Sequence, residues 1–270
     1  MIVVTGATGN VGQPLVKALA DSGAAVTAVS RKAAQVPAGV RHHQADLAEP
    51  DSLPLDGAEA LFLLTSAEFL ASGDLTGVLR AAGAAGVRRT VLLSSQGVGT
   101  FRHPAVHEEA VRQGSPEWTI LRASGFQSNA FQWAESVRAR REVAAPFGDV
   151  ALPNIDPADI AAVAAAVLRE PGHDGRTYTL TGPAPISPRQ QAEAIGAAIG
   201  EPVRFIEQSR EEARAAMLHF MPEPVAEATL DILGRPTPAE RQVSPDVERV
   251  LGRGPRPFSG WAARFAPAFR

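Results

Sequence analysis

The chain has 270 residues, 45% of them hydrophobic, enough to bury the core of one large α/β domain or of a nucleotide domain with a smaller lobe. A formal net charge of −3 without a long basic block argues against direct nucleic-acid binding. With no cysteine, the chain has no disulfide, no thiolate nucleophile and no thiolate metal ligand.

Taken in order, the first elements carry the strongest pattern. Ile2-Val3-Val4 reads as a short strand, Gly6-Ala7-Thr8-Gly9-Asn10-Val11-Gly12 as a glycine turn, and Pro14 to Ala20 as an amphipathic helix. In such a unit the first glycine permits the tight turn, the second lets a pyrophosphate approach the backbone, and the third lets helix and strand pack closely. The helix N-terminus then offers N–H groups and a positive dipole end to an anion. Gly6, Thr8, Gly9, Asn10, Val11 and Gly12 are therefore candidate cofactor contacts. A second strand, Ala24 to Ser30, ends at Arg31-Lys32. An acid at this place would bond the ribose hydroxyls of NAD. Arg31 instead suits a 2′-phosphate, which its guanidinium fork matches, and Lys32 adds charge. The expected cofactor is NADP(H) in preference to NAD(H).

Val40 to Ala45 is a third strand, ending at Asp46-Leu47, and Leu61 to Thr65 a fourth, apolar on both faces. A helix over about Asp74 to Ala85 leads to a fifth, Thr90 to Ser95. A loop, Gln96 to His103, precedes a helix opening at Pro104, with Glu108 and Glu109 in its early turns. Trp118 to Arg122 is the sixth strand. The alternation predicts a parallel sheet.

Beyond Arg122 the pattern changes. Phe126 to Arg141 reads as an amphipathic helix, followed by segments broken at Pro146, Gly148 and Pro153. Asp156-Pro157-Ala158-Asp159 caps an alanine-rich helix, whose apolar run from Ile160 to Leu168 is too short to span a bilayer. Arg176 to Thr181 returns as a strand at the sheet edge, Ser187 opens a helix, Val203 to Ile206 is a short strand, and helical pieces run to the end. The expected fold is α/β, a Rossmann-like doubly wound parallel sheet with a smaller, interleaved α+β substrate lobe. Residues 1–125 and 155–182 form the dinucleotide-binding domain in this division, and 126–154 and 183–270 the lobe. The opening residues run straight into strand one, leaving no room for a signal peptide, and a cytoplasmic location is expected.

Several of these stretches together resemble a known group. They are Thr5 to Gly12, Asp46-Leu47, Ser94-Ser95, Trp118-Thr119-Ile120-Leu121-Arg122 with Phe126 and Asn129, Asp156 to Ala161, and Tyr178 to Pro183. In this order the chain resembles the NmrA-like family of atypical short-chain dehydrogenase/reductases, over nearly its whole length. That family includes NAD(P)H-dependent quinone and azo-compound reductases, and also cofactor-binding proteins that act as redox sensors. The resemblance implies that Asp46 and Leu47 flank the adenine and that Thr65 and Ser94 lie along the nicotinamide-ribose path.

Most short-chain dehydrogenases use a Tyr-x-x-x-Lys pair, whose lysine lowers the tyrosine pKa for proton shuttling. Here the sole tyrosine is Tyr178 and no lysine follows Lys32, so that machinery is excluded. Hydride transfer to a quinone needs less. The acceptor is already electron-poor, its reduced oxygens take protons from water, and the protein supplies stacking and orientation. The expected function is therefore NADP(H)-dependent hydride transfer to a quinone or related conjugated aromatic acceptor. His103 and His107, four residues apart, would share one helix side, and His107 falls about where the missing tyrosine would stand. His107 is the candidate proton donor or orienting hydrogen-bond donor, with Ser95 assisting. The same pair is a poor zinc site, because Pro104 stands where a metalloprotease helix needs glutamate; no metal is expected. Arg122 either meets a ligand anion or, preferably, pairs with an acid. Phe126, Phe131 and Trp133 roof the cofactor or, by default, pack in a core. His42 and His43 read as structural or surface residues, and His219, beside Phe220 and Met217, as lining a lobe pocket or, preferably, as packing. Two other functions stay open: an NADP(H) redox sensor acting through a regulatory protein partner, and a reductase tailoring a polycyclic natural product. A homo-oligomer is also open.

Overall fold

A computed structural model describes residues 1–66, 69, 73–219 and 221–270. Its main sheet has seven strands: β1 (Ile2–Val4), β2 (Val26–Ser30), β3 (Arg41–Gln44), β4 (Ala60–Leu63), β5 (Arg89–Ser95), β6 (Glu117–Ala123) and, later in the chain, Arg176–Leu180. The order across the sheet is β3-β2-β1-β4-β5-β6 followed by Arg176–Leu180, and every pairing is parallel. Val3 opposes Thr27 on one side and Leu61 on the other, so β1 and β4 are neighbours and the strand order reverses between them. In doubly wound sheets that reversal opens a ligand crevice at the carboxyl ends of the strands. All residues of β1, β2 and β4 are buried, as a sheet covered on both faces requires, whereas edge strand β3 is largely exposed.

Helix α1 (Gly12–Asp21) follows the glycine turn, α2 (Thr76–Ala84) precedes β5, α3 (Gln96–Gly99) is a single turn after it, and α4 (Val106–Gly114) precedes β6. The alanine-rich segment is α5 (Pro157–Arg169), which packs on α1, β4, β5 and β6. Its small residues allow that close approach; from Asp159 to Leu168 only Ala162 is not buried. No helix among the described residues is long and apolar enough to cross a membrane.

The chain divides into two compact units. The first contains Met1–Ala123, Pro157–Leu180 and Asp246–Arg253; the second contains Ser124–Asp156, Thr181–Pro245 and Gly254–Arg270. Asp246–Arg253 is thus a departure from a lobe running unbroken over 183–270. The segment is held there by polar and apolar contacts: the Thr179 backbone N–H, on the edge strand, donates to the Asp246 carboxylate at 2.8 Å, Arg253 pairs with fully buried Asp159 at 2.8 Å, and Val247 is fully buried.

In the second unit, Phe126 to Arg141 is not one α-helix. Gln127–Trp133 is a 3-10 helix, Ala134–Arg140 an α-helix, and Arg141 closes it in the left-handed region at φ 55°. Glu142–Pro146, a strand missed by sequence reasoning, pairs in parallel with Arg204–Gln208. The helix expected at Ser187 is present over Pro188–Ile199, with a capping box between Ser187 and Gln190. The core here is aromatic: the Phe131 ring lies 4.9 Å from Trp261 and 5.2 Å from Phe265, and Trp133 belongs to the same cluster. Phe131 and Trp133 are therefore core residues.

Candidate functional site

The glycine turn is built by three constraints. The buried Thr5 hydroxyl donates to the Phe62 carbonyl at 3.1 Å and accepts the Leu64 N–H at 2.9 Å, locking the end of β1 to the end of β4. Gly6 has φ 61°, and a Cβ there would come within 2.7 Å of Leu64 Cδ2. A Cβ on Gly12 would lie 2.1 Å from the Gly6 carbonyl oxygen. Gly9 differs: the nearest atom to an added Cβ is the Gly6 oxygen at 3.4 Å, an ordinary contact. The backbone therefore leaves no room for a side chain at 12 and strains one at 6, but accepts one at 9, while Thr8, Gly9 and Asn10 are exposed. Val11, the N-cap of α1, makes no side-chain capping bond, and the first turn carries no acid. Neither an N-cap side chain nor a first-turn acid compensates the positive end of the helix.

At the end of β2, Ser30 donates to the Lys32 carbonyl at 2.7 Å and bonds His42 Nε2 at 2.8 Å, while Gln44 donates to the Arg31 carbonyl at 2.9 Å. These contacts shape the backbone that carries the exposed Arg31 and Lys32 side chains, a role for Ser30, His42 and Gln44 that sequence reasoning missed. His43 bonds the Ser52 carbonyl at 3.0 Å. Beyond β3, the half-buried Asp46 accepts from the Ala48 N–H at 3.0 Å, and Leu47 beside it packs partly against the core. Thr65, two residues past β4, is half-buried.

The carboxyl ends of β5 and β6 meet on a buried acid. Glu108, with 1% of its surface exposed, accepts from Ser94 Oγ at 2.7 Å, from Arg122 Nε at 2.9 Å and Nη2 at 2.7 Å, and from Arg112 Nη2 at 2.9 Å. Burial alone would raise its pKa; hydrogen bonds from Arg122 and Ser94, the Arg122 charge and the bond from Arg112 outweigh it and hold the carboxyl below its ordinary range. The same bond raises the Arg122 pKa. Arg122 thus pairs with an acid, as preferred above. Nothing in local pattern singles out Glu108 from Glu109; the one sequence signal is Arg112 four residues on.

The two histidines do not share a helix. Helix α4 starts at Val106 with Ala105 as its N-cap, so His103 lies before it, packed so tightly on Gly97 that a Cβ there would meet its ring at 2.2 Å. The intervening Pro104 and the N-cap break the spacing. His107 is half-buried beside Phe69, ring centroids 5.9 Å apart, and its buried Nδ1 has no hydrogen-bond partner among the described residues. Desolvation lowers its pKa, opposed by the charge of Asp74. Ser95 caps α3, its hydroxyl oxygen accepting the Gly97 N–H at 3.0 Å. Tyr178 lies on the sheet's edge strand and bonds His173 Nδ1 at 2.8 Å. His219 is exposed, and its expected neighbour Phe220 lies outside the described residues.

Comparison with known proteins agrees with this geometry. Residues 6–171 match the model of the NAD(P)H-binding family. A (4-alkanoyl-5-oxo-2,5-dihydrofuran-3-yl)methyl phosphate reductase of Streptomyces griseus is 38% identical over 100% of this chain and 99% of its own. An NAD(P)H azoreductase of Xenophilus azovorans is 32% identical over 100% and 99%. Among solved structures, the NADPH-dependent quinone oxidoreductase QOR2 of Escherichia coli, complexed with NADPH, has the same fold, with a TM-score of 0.81 at 24% identity over 98% and 99% of the two chains. The chain belongs to the NAD(P)H-binding family, and its relatives above 30% identity include named reductases.

Proposed function

We propose that the protein is an NADP(H)-dependent reductase that transfers a hydride to a conjugated, electron-poor acceptor such as a quinone. The observation that carries this is the exposed Gly9 at the start of α1, a glycine the fold does not need and a diphosphate does. Thr8, Asn10, Val11 and Gly12 complete that contact. Arg31 and Lys32 would meet the 2′-phosphate, Asp46 and Leu47 the adenine, and Thr65 and Ser94 the nicotinamide riboside. NADPH supplies the hydride. The acceptor becomes a hydroquinone once its second oxygen takes a proton from water, so no tyrosine–lysine pair is needed.

His107 is the group we assign to orient the acceptor. Its lowered pKa leaves the imidazole neutral at neutral pH, a hydrogen-bond donor rather than an acid. Ser95 assists from the end of β5. The relatives support the acceptor class: one is named for an azo substrate, and the other for a dihydrofuran double bond conjugated with a ring oxo and an alkanoyl group. All three acceptor types take a hydride into a delocalised system. NADPH oxidation by the purified protein, with naphthoquinone, an azo dye and an alkanoyl-butenolide phosphate in turn, tests the proposal. Turnover with at least one is expected; tight NADPH binding without turnover on any would favour the redox sensor instead.

A further inference from the structure

Ser94 sits at the carboxyl end of β5, half-buried, and its only hydroxyl proton is already committed. Glu108 faces it as a carboxylate: two donors of Arg122 and one of Arg112 converge on that group, and an ionised carboxylate has no proton to give. The Ser94–Glu108 bond can run in only one direction, from the serine hydroxyl to the acid. Among the described residues, what the Ser94 hydroxyl still offers is acceptor capacity. The neighbourhood is close-packed: a Cβ on Gly99, the last residue of α3, would meet Arg122 Nη1 at 2.8 Å, so a side chain there would crowd the guanidinium.

We propose that Glu108 is a positioning residue that sets the polarity of Ser94, making it an obligate hydrogen-bond acceptor for a donor on the nicotinamide riboside half of the bound cofactor. The inference rests on the cofactor placement proposed above. The strand order reverses between β1 and β4, so a dinucleotide whose diphosphate meets the β1 turn extends to both sides of it. Arg31, just after β2, lies on one side and Ser94, the penultimate residue of β5, on the other. Ribose hydroxyls and the carboxamide NH2 are the donors that half of the cofactor offers. Ser94 thus does not deliver a proton in the reaction; it recognises one.

The test is calorimetric binding to the full-length protein with two probes, NADP+ and adenosine 2′,5′-bisphosphate, which lacks the nicotinamide half. Ser94→Ala and Glu108→Gln should each weaken NADP+ about fivefold to tenfold, tenfold being about 1.4 kcal/mol. Both should leave the bisphosphate affinity unchanged. The double variant should be no weaker than either single one, because the two residues act as a unit. Ser94→Thr, which keeps the hydroxyl, should restore wild-type affinity. Equal weakening of both probes would reduce Glu108 to a structural role and overturn the proposal, as would additive losses or no loss at all. A wild-type protein that binds the bisphosphate but not NADP+ would also overturn it. One that binds neither would instead sink the cofactor assignment beneath it.

Discussion

Phe101 stands in the left-handed region at φ 61° with 95% of its surface exposed. A bulky residue there is strained by about 1 kcal/mol or more, and so exposed a ring returns little by packing. Phe101→Asn, whose short side chain tolerates that conformation, should stabilise the protein by about 0.5–1 kcal/mol in a denaturant titration. A loss of stability would mean the ring is held by contacts the exposure does not reveal. The glycine turn offers a sharper contrast. Gly9→Ala meets nothing closer than 3.4 Å and should fold normally, with NADP+ affinity reduced about tenfold or more. Gly12→Ala drives a methyl to 2.1 Å from the Gly6 carbonyl and should fail to give soluble folded protein. If Gly9→Ala bound NADP+ as wild type does, the diphosphate would have to lie elsewhere. Arg31→Ala should narrow any preference for NADP+ over NAD+, read from the two dissociation constants.

At the scale of elements, Glu108 joins α4 to β5 and β6, and its ionisation makes that junction pH-dependent. The folded carboxyl has a lowered pKa, so its contribution is complete above the unfolded value of about 4.3 and is lost as pH falls through the folded one. Glu108→Gln leaves half-buried Arg122 without its anion and should cost about 3 kcal/mol near neutral pH. The gap in Tm between the two proteins should shrink below pH about 4; a constant gap would contradict the ionised pair. These elements also show what a linear pattern reveals. Strands β1, β4, β5 and β6 are legible because a buried parallel strand must be a short apolar run. Glu142–Pro146 is not: it has one β-branched residue, Val143, ends in proline, and exists because Arg204–Gln208 lies beside it. The glycine turn is legible because its backbone constraints are local. Glu108 is not, since its partners Ser94 and Arg122 each lie 14 residues away on different strands. The supposed His103–His107 pair fails for the same reason, because spacing has meaning only inside a continuous helix.

For the whole molecule, the consequence lies in how the chain is threaded. The second unit is made of three segments, two of them closed at both ends by the first unit. Unfolding the first unit would free those ends and charge the second unit the entropy of closing its own loops, so the two should unfold together. The tryptophans report on this, because Trp133 and Trp261 lie in the second unit's core and Trp118 lies on β6 of the first. Every residue proposed to touch the cofactor belongs to the first unit. NADP+ at a hundredfold its dissociation constant stabilises whatever folds with its site by about 2.7 kcal/mol. In a Trp118→Phe protein, where emission comes from the second unit alone, the melting transition should still rise with NADP+ by the same amount as in wild type. A second-unit transition that ignores the cofactor would show that the interleaved chain does not couple the two cores.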